Sequence, residues 1–501
     1  MRKKLKNKGV VNTIIITMII AIIITSFLSI IGLESQQTII GANGTLETYL
    51  ITTQNILSID GIKYLFSSAI NNFILFKPLA YLIISLISIS ILEKSGLLNL
   101  LTNKLRRLKF RYLTILVMIV CLLFNFLGDF TFVYLMPIVA TIYKKIGKNP
   151  LLGIITVFIS LTIGYSIGFV FNYNDYFLGT MTEASARVDV DKNYLFTLSS
   201  NLYIKLFSSI ILILISSHLI ENKLALKFNN PEVIEEEYNF SKKAGQYTFI
   251  TFMICILVIS LLIIPGVPYL GLLLDNNEVN YIAKLFGENA AFGQGLLYII
   301  TIVIMICSYI YGKTSKNINN VSEFNDGLTI QFENTGHVFV YMFFISQLIG
   351  IINYTNIGNV ISNILLNFMS SVEFSGIPLI FVSFILIILM TLLIPNIIDK
   401  WIILSPVIVP LFMRSNITPN FTQFIFGVAD GVDKSLTPIF PYYIIMLGLM
   451  EKYKNDEEVS FYGILKKITP TILIISGVML LLLIGWFLIG LPLGINSFPS
   501  L

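Results

Sequence analysis

Charge is what this sequence has least of. Asp, Glu, Lys and Arg together make up 12% of its 501 residues, about half of the roughly 25% carried by a soluble domain. That shortage excludes a disordered chain and a nucleic-acid binder, and it argues against a soluble enzyme. Cysteine is nearly absent too. Cys121, Cys255 and Cys307 lie inside apolar runs and are odd in number. They are read as packing residues, which excludes a disulfide scaffold. The sequence holds no Walker loop, no metal-spaced His/Cys cluster and no nucleophile–base set. It therefore predicts no enzyme chemistry, no ATP-driven pumping and no cofactor, with H+ or Na+ as the candidate coupling ion.

What the sequence does have is hydrocarbon. Hydrophobic residues reach 55% and mean hydropathy is +0.83. The net charge of +5 comes from basic residues at the ends of apolar runs, where they orient a chain in a bilayer. A crossing helix needs about 20 mostly apolar residues. Nine stretches are read as crossings: 13–33, 67–91, 150–171, 202–220, 247–264, 295–311, 336–353, 419–450 and 468–489. Arg2, Lys3, Lys4, Lys6 and Lys8 precede the first and place the N-terminus in the cytoplasm. Asn43-Gly44-Thr45, in the loop after it, matches a glycosylation sequon and is read as a chance match. The expectation is one transmembrane domain over residues 1–501, multi-pass in the cell membrane, with lipid and a small-molecule substrate as partners.

Two further apolar stretches are interrupted. Residues 112–143 lie between Lys104, Arg106, Arg107, Lys109 and Arg111 on one side and Lys144, Lys145 and Lys148 on the other, so both ends belong inside. Asn125, Gly128 and Asp129 break the run into arms of ~14 residues, short of a crossing. This predicts a re-entrant hairpin, whose tip must be buried in protein or line a wet cavity. Two tightly linked full crossings are the alternative. Residues 377–413 break at Pro395, Asn396, Asp399 and Lys400, after a loop whose later part carries one charge, Glu373. They read as a second hairpin entering from outside.

The two regions share an order of features. The first, about 66–220, has Asn125 and Asp129, then Pro150, then Asp175; the second, about 336–495, has Asn396 and Asp399, then Pro419, then Asp430. Inverted repeats with broken helices are a mark of secondary transporters, with substrate and ion sites near the midplane. The predicted fold class is therefore an all-α polytopic membrane protein of nine transmembrane helices plus two re-entrant helical hairpins, either elevator-type or gated. A carboxylate at mid-helix costs roughly 2.5–3.5 kcal/mol on insertion scales, so Asp129, Asp175, Asp399 and Asp430 are candidate functional acids. Lys434 is expected to pair with Asp430 or Asp433, and Asp399 with Lys400 as a local ion pair.

Several segments together resemble the p-aminobenzoyl-glutamate transporter (AbgT) family. The strongest is Asp399-Lys400-Trp401-Ile402-Ile403-Leu404-Ser405-Pro406, followed by Pro419, Thr422-Gln423, Asp430 and Thr437-Pro438. Others are Glu93-Lys94-Ser95-Gly96-Leu97, Asn353-Tyr354-Thr355-Asn356-Ile357-Gly358 and the terminal Gly490-Leu491-Pro492-Leu493-Gly494. The resemblance implies a homodimeric carrier of nine spans and two hairpins for p-aminobenzoyl-glutamate, with proton-driven export of sulfonamides in some members. It implies functional roles for Asp175, Trp401, Pro419, Asp430 and Pro438. Asp175 and Asp430 would serve ion or proton coupling. Trp401, Pro419, Pro438, Asn125, Asn396 and Lys434 would serve substrate binding. The chain departs from the family pattern at Ile398 for a serine, at Gly427 for an arginine, and at Asp430-Gly431-Val432-Asp433-Lys434 for an Asp-Ser-Ser-Thr-Asn run. Two other readings stay open here: a dicarboxylate carrier on the same architecture, and a membrane receptor derived from a carrier.

Overall fold

A computed structural model describes residues 9–41, 43–229, 241–267, 270–287, 289–372, 374–390, 393–454 and 457–501. The basic residues before Gly9 and the loop acid Glu373 lie outside the described residues. Among the described residues, seven helices are long and apolar enough to cross a membrane. They are Val10–Ile30, Phe110–Leu127, Leu198–Lys227, Lys242–Leu262, Ala291–Ser315, Gly336–Thr355 and Phe461–Ile489. Three of them, Val10–Ile30, Ala291–Ser315 and Gly336–Thr355, start and end within about a turn of predicted crossings, because uniform apolar runs with charged ends leave helix ends little freedom. Leu198–Lys227, Lys242–Leu262 and Phe461–Ile489 run further at one end, and Phe110–Leu127 is an arm of the first predicted hairpin.

The chain is not wholly helical. Strands β1 (Glu34–Ile40) and β2 (Leu46–Thr52) form an antiparallel hairpin with Glu34 opposite Thr52 and Ile40 opposite Leu46. Its connection holds the Asn43-Gly44 dipeptide, with Gly44 at φ 71°, a strong hairpin signal. The predicted crossing at 67–91 is also corrected. The chain breaks at Leu75–Phe76 between the short helix Ala69–Ile74 and the helix Lys77–Lys94. Pro78 stands in the first turn of Lys77–Lys94 and has no N–H to bond the carbonyl one turn upstream, so a helix arriving from Ala69–Ile74 cannot run on through it.

Both interrupted stretches break where their polar residues stand. Helix α1 (Phe110–Phe124) leads through a 3-10 turn at Asn125–Leu127 into α2 (Phe130–Lys145). Gly128 closes that turn at φ 58°. With its turn, this first arm reaches 18 residues, about 27 Å, which is longer than the expected arm and close to the ~30 Å hydrocarbon core. In the second region, α5 (Gly376–Met390) and α6 (Ile397–Arg414) flank the other break.

Each break is followed by a second pair of helices, where the spans read at 150–171 and 419–450 and expected to be interrupted at Asp175 and Asp430 are broken at other positions. Helix α3 (Pro150–Ile163) stops at Gly164, and α4 (Tyr173–Asp189) begins after the unwound stretch 164–172. Helix α7 (Pro419–Leu436) stops at Thr437-Pro438, and α8 (Pro441–Tyr453) follows. The second interruption thus falls at Pro438, seven to eight residues after Asp430 and not at that acid. Pro150, Pro419 and Pro441 all stand in first turns, where the missing N–H is harmless. Helices α3, α7 and α8 are buried almost all round, which marks them as the centre of the molecule. Helix Lys242–Leu262 is the opposite case, with Phe249, Ile250 and Leu257 exposed, as expected of a helix that meets lipid.

Candidate functional site

The two tips close on one cavity of about 520 Å³. Gly128 and Asp129 line it from the first tip, and Pro395 and Asn396 from the second. Aromatic rings of Tyr81, Phe126 and Tyr442 supply much of the wall. Lys77 and Lys434 bring positive charge.

A chain of polar contacts runs from this cavity into the core. Tyr165 donates its hydroxyl to Asp129 Oδ1 at 2.7 Å. The Lys434 ammonium lies 3.3 Å from the centroid of the Tyr165 ring and 2.8 Å from Asp430 Oδ2. Lys400 donates to Asp430 Oδ1 at 2.6 Å and to Asp433 Oδ2 at 2.9 Å. Thr437 donates to Asp433 Oδ1 at 2.8 Å. The side chains of Lys400, Asp430, Asp433 and Lys434 are at most 2% exposed. Two lysines and two aspartates make this tetrad neutral overall, which is the condition for holding four charges away from water.

Helical spacing builds most of the tetrad. Asp430, Asp433 and Lys434 stand at i, i+3 and i+4 on α7 and so share a face. Gly427 and Gly431 stand one turn apart on the same helix. A Cβ on Gly427 would meet Ser166 Oγ at 2.5 Å, and one on Gly431 would meet the carbonyl oxygens of Thr162 and Ile163 at 2.7 and 2.9 Å. The backbone of α7 therefore touches the end of α3 directly. Ser435 adds a hydrogen bond to Thr162 Oγ1 at 2.6 Å. An arginine at position 427 has no room beside Ser166.

Asn125 and Asn396 act differently. Buried Asn125 donates its amide to the carbonyl oxygens of Gly164, Tyr165 and Ile167 at 2.8, 3.0 and 2.9 Å. It ties the first tip to the unwound stretch after α3 and satisfies carbonyls that the helix end leaves open. Asn396 caps α6, its Oδ1 accepting from Ile398 N at 2.9 Å, and faces the cavity.

Asp175 stands apart from Asp430. It forms a capping box with Asn172 at the start of α4 and an ion pair with Lys205. It lines a narrow crevice with Gln423 and Phe171, while its neighbour Asn174 lines the large cavity. Trp401 is fully buried, its ring stacked on Phe426 at 4.3 Å between centroids. Its Nε1 donates to Thr182 Oγ1 at 3.0 Å and to the Leu178 carbonyl at 3.1 Å. Thr182 in turn donates to Gln423 Oε1 at 2.9 Å. Trp401 thus joins α6 to α4 and is not among the cavity walls. Pro419 opens α7 in a buried first turn, and Pro438 sits half-buried in the break after it.

Asp399 does not pair with Lys400. It is exposed and lines a separate pocket of about 380 Å³ with Asn353 and Asn359, whereas Lys400 turns inward to the two aspartates. Sequence reasoning also missed Tyr165, whose ring and hydroxyl link Asp129 to Lys434. Lys205, buried near the start of its helix, holds Asp175. Among the described residues, no group of three or more His, Cys, Asp or Glu side chains is placed to hold a metal ion.

Comparison with known proteins bears on what this site serves. The family model described as "AbgT putative transporter family" matches residues 9–501. The p-aminobenzoyl-glutamate transport protein of Escherichia coli (strain K12) is 26% identical over 491 residues, covering 96% of this chain and 92% of that protein. Two solved structures share the fold. The Alcanivorax borkumensis YdaH transporter aligns with a TM-score of 0.50 at 22% identity, over 97% of this chain and 99% of its own. Neisseria gonorrhoeae MtrF, described with a class of antimetabolite efflux pumps, aligns with a TM-score of 0.50 at 22% identity, over 98% of each chain.

Proposed function

We propose, from the premise that this chain belongs to the AbgT transporter family, that it is a gradient-driven carrier of an aromatic carboxylate. As a member of that family it is a multi-pass membrane transporter and not an enzyme. The substrate class is p-aminobenzoyl-glutamate or a related aryl compound, with sulfonamide-like antimetabolites as further cargo. The observation that carries this reading is the single cavity closed by both tips, which offers aromatic walls beside Lys77 and Lys434. Aromatic faces suit an aryl ring, and a lysine ammonium suits a carboxylate. Rings on several sides favour an aryl substrate over a plain dicarboxylate.

In this reading, the two regions form an inverted repeat of nine crossings and two re-entrant hairpins, the N-terminus lies in the cytoplasm of a plasma-membrane homodimer, and Asp175 and Asp430 are the coupling carboxylates. Each of these acids meets a lysine: Lys205 for Asp175, and Lys400 with Lys434 for Asp430. The test is uptake of labelled p-aminobenzoyl-glutamate into proteoliposomes under an imposed ion gradient. Gradient-dependent accumulation is expected, and Asp430→Asn is expected to abolish it. Binding without any flux would favour a receptor, and full flux in Asp430→Asn would remove that acid from the coupling step.

A further inference from the structure

We propose that the Lys434 ammonium is a built-in counter-cation for Asp430, so that the carrier works without a bound metal cation at that carboxylate. The inference rests on the carrier reading above and concerns which ion the site needs.

A carboxylate with no exposure must have its charge answered inside the protein. Both oxygens of Asp430 face a lysine, Oδ1 through a hydrogen bond from Lys400 and Oδ2 through charge contact with Lys434. Lys400 takes Oδ1 at 2.6 Å and is itself held by Asp433 at 2.9 Å. Oδ2 is left for a second cation, and Lys434 supplies it at 2.8 Å from one turn further along α7. The ammonium is not merely passing that oxygen. Its other face rests on the Tyr165 ring at 3.3 Å, a contact that favours a cation out of water. The position is thus a cation site, and its occupant is covalently attached to the chain.

Charge and ligand supply both argue against an added metal ion. The tetrad is neutral with its two lysines, and a metal cation would bring it to a net positive charge where exposure is at most 2%. The residues directly after Asp430 are Gly431 and Val432, which carry no side-chain oxygen for a hard cation to use. Lys434 also lines the large cavity, so the built-in cation sits where the substrate is proposed to enter. Removing its charge leaves the tetrad with one uncompensated negative charge, and a neutral oxygen-bearing side chain in its place gives a metal cation both charge and room.

The test is thermal unfolding of the purified full-length protein in sodium, potassium and choline chloride at matched ionic strength, without substrate. The wild-type midpoint is expected to be the same in all three salts. Lys434→Asn is expected to unfold at a lower temperature in choline and to gain a few degrees in sodium or potassium, as mass action requires of a newly bound ion. Asp430→Asn/Lys434→Asn, neutral again, is expected to lose that salt response. A sodium- or potassium-specific shift in the wild type overturns the proposal, as does a folded Lys434→Asn protein with no cation response. If Lys434→Asn does not fold in any salt, the wild-type comparison decides alone. Flux in proteoliposomes, read in parallel, is expected to persist when sodium is replaced by choline. Absence of any flux would count against the carrier reading, while the unfolding arms would still decide the ion.

Discussion

Lys400 is 1% exposed and is shared by two aspartates, Asp430 and Asp433. Breaking a buried pair by removing one partner costs about 3–5 kcal/mol, because the partner left behind has no water to turn to. Lys400→Met is therefore expected to lower stability by about that amount, seen as a clear fall in the thermal midpoint in detergent. A midpoint equal to wild type would show that the two aspartates do not depend on it. The partners of this lysine were not legible from sequence. Asp399 is its neighbour in the chain, but successive residues on a helix point in different directions, and the two side chains end in different places: one in the core, one at an exposed pocket. Asp430 was one of two partners that the sequence left open for Lys434, and the one that a helical turn separates from it is the one it meets. Trp401 carried no such signal, since its partner Phe426 and its acceptor Thr182 come from other helices.

At the scale of elements, the breaks divide into two kinds. Those at Asn125–Asp129 and Pro395–Asn396 could be read because polar residues and proline interrupt apolar runs. The unwound stretch 164–172 could not, since its opening Gly164-Tyr165-Ser166-Ile167 keeps an apolar character. It is held open by a long-range contact, the Asn125 amide on three of its carbonyl oxygens. Asn125→Ala is expected to leave buried carbonyls without donors and to cost about 1–3 kcal/mol, again as a lowered midpoint. An unchanged midpoint would mean that other donors satisfy that stretch. The β1–β2 hairpin was missed for another reason: Asn43-Gly44 was considered as a sequon and not as a turn.

Across the whole molecule, distant helices meet at Gln331. Its amide donates to Glu93, and its Oε1 accepts from Lys452 at 2.7 Å and from Tyr453 at 3.0 Å. Burial at this junction, outside the membrane-spanning segments, lowers the Lys452 pKa from 10.5 to about 8. Between those two values the unfolded chain holds a proton that the folded protein has released, so stability rises with pH across that window. Below about pH 8 the cost of the buried charge is present in full. Lys452→Gln is expected to flatten the rise between pH 8 and 10.5 relative to wild type, measured as the midpoint in a pH series. An identical slope in both proteins would remove Lys452 as its source. The family and its membrane character were legible from the run of motifs along nearly the whole chain, whereas this junction joins residues up to 360 apart and leaves no local mark.

The bare face that Gly431 presents to the end of α3, with Gly427 against Ser166 just beyond it, limits how the molecule can rearrange. Two main chains in direct touch at Gly431, pinned beside it by the Ser435–Thr162 hydrogen bond, behave as one piece. Any stroke that carries cargo from one side to the other must take α3 and α7 along as joint passengers and find its slip plane elsewhere.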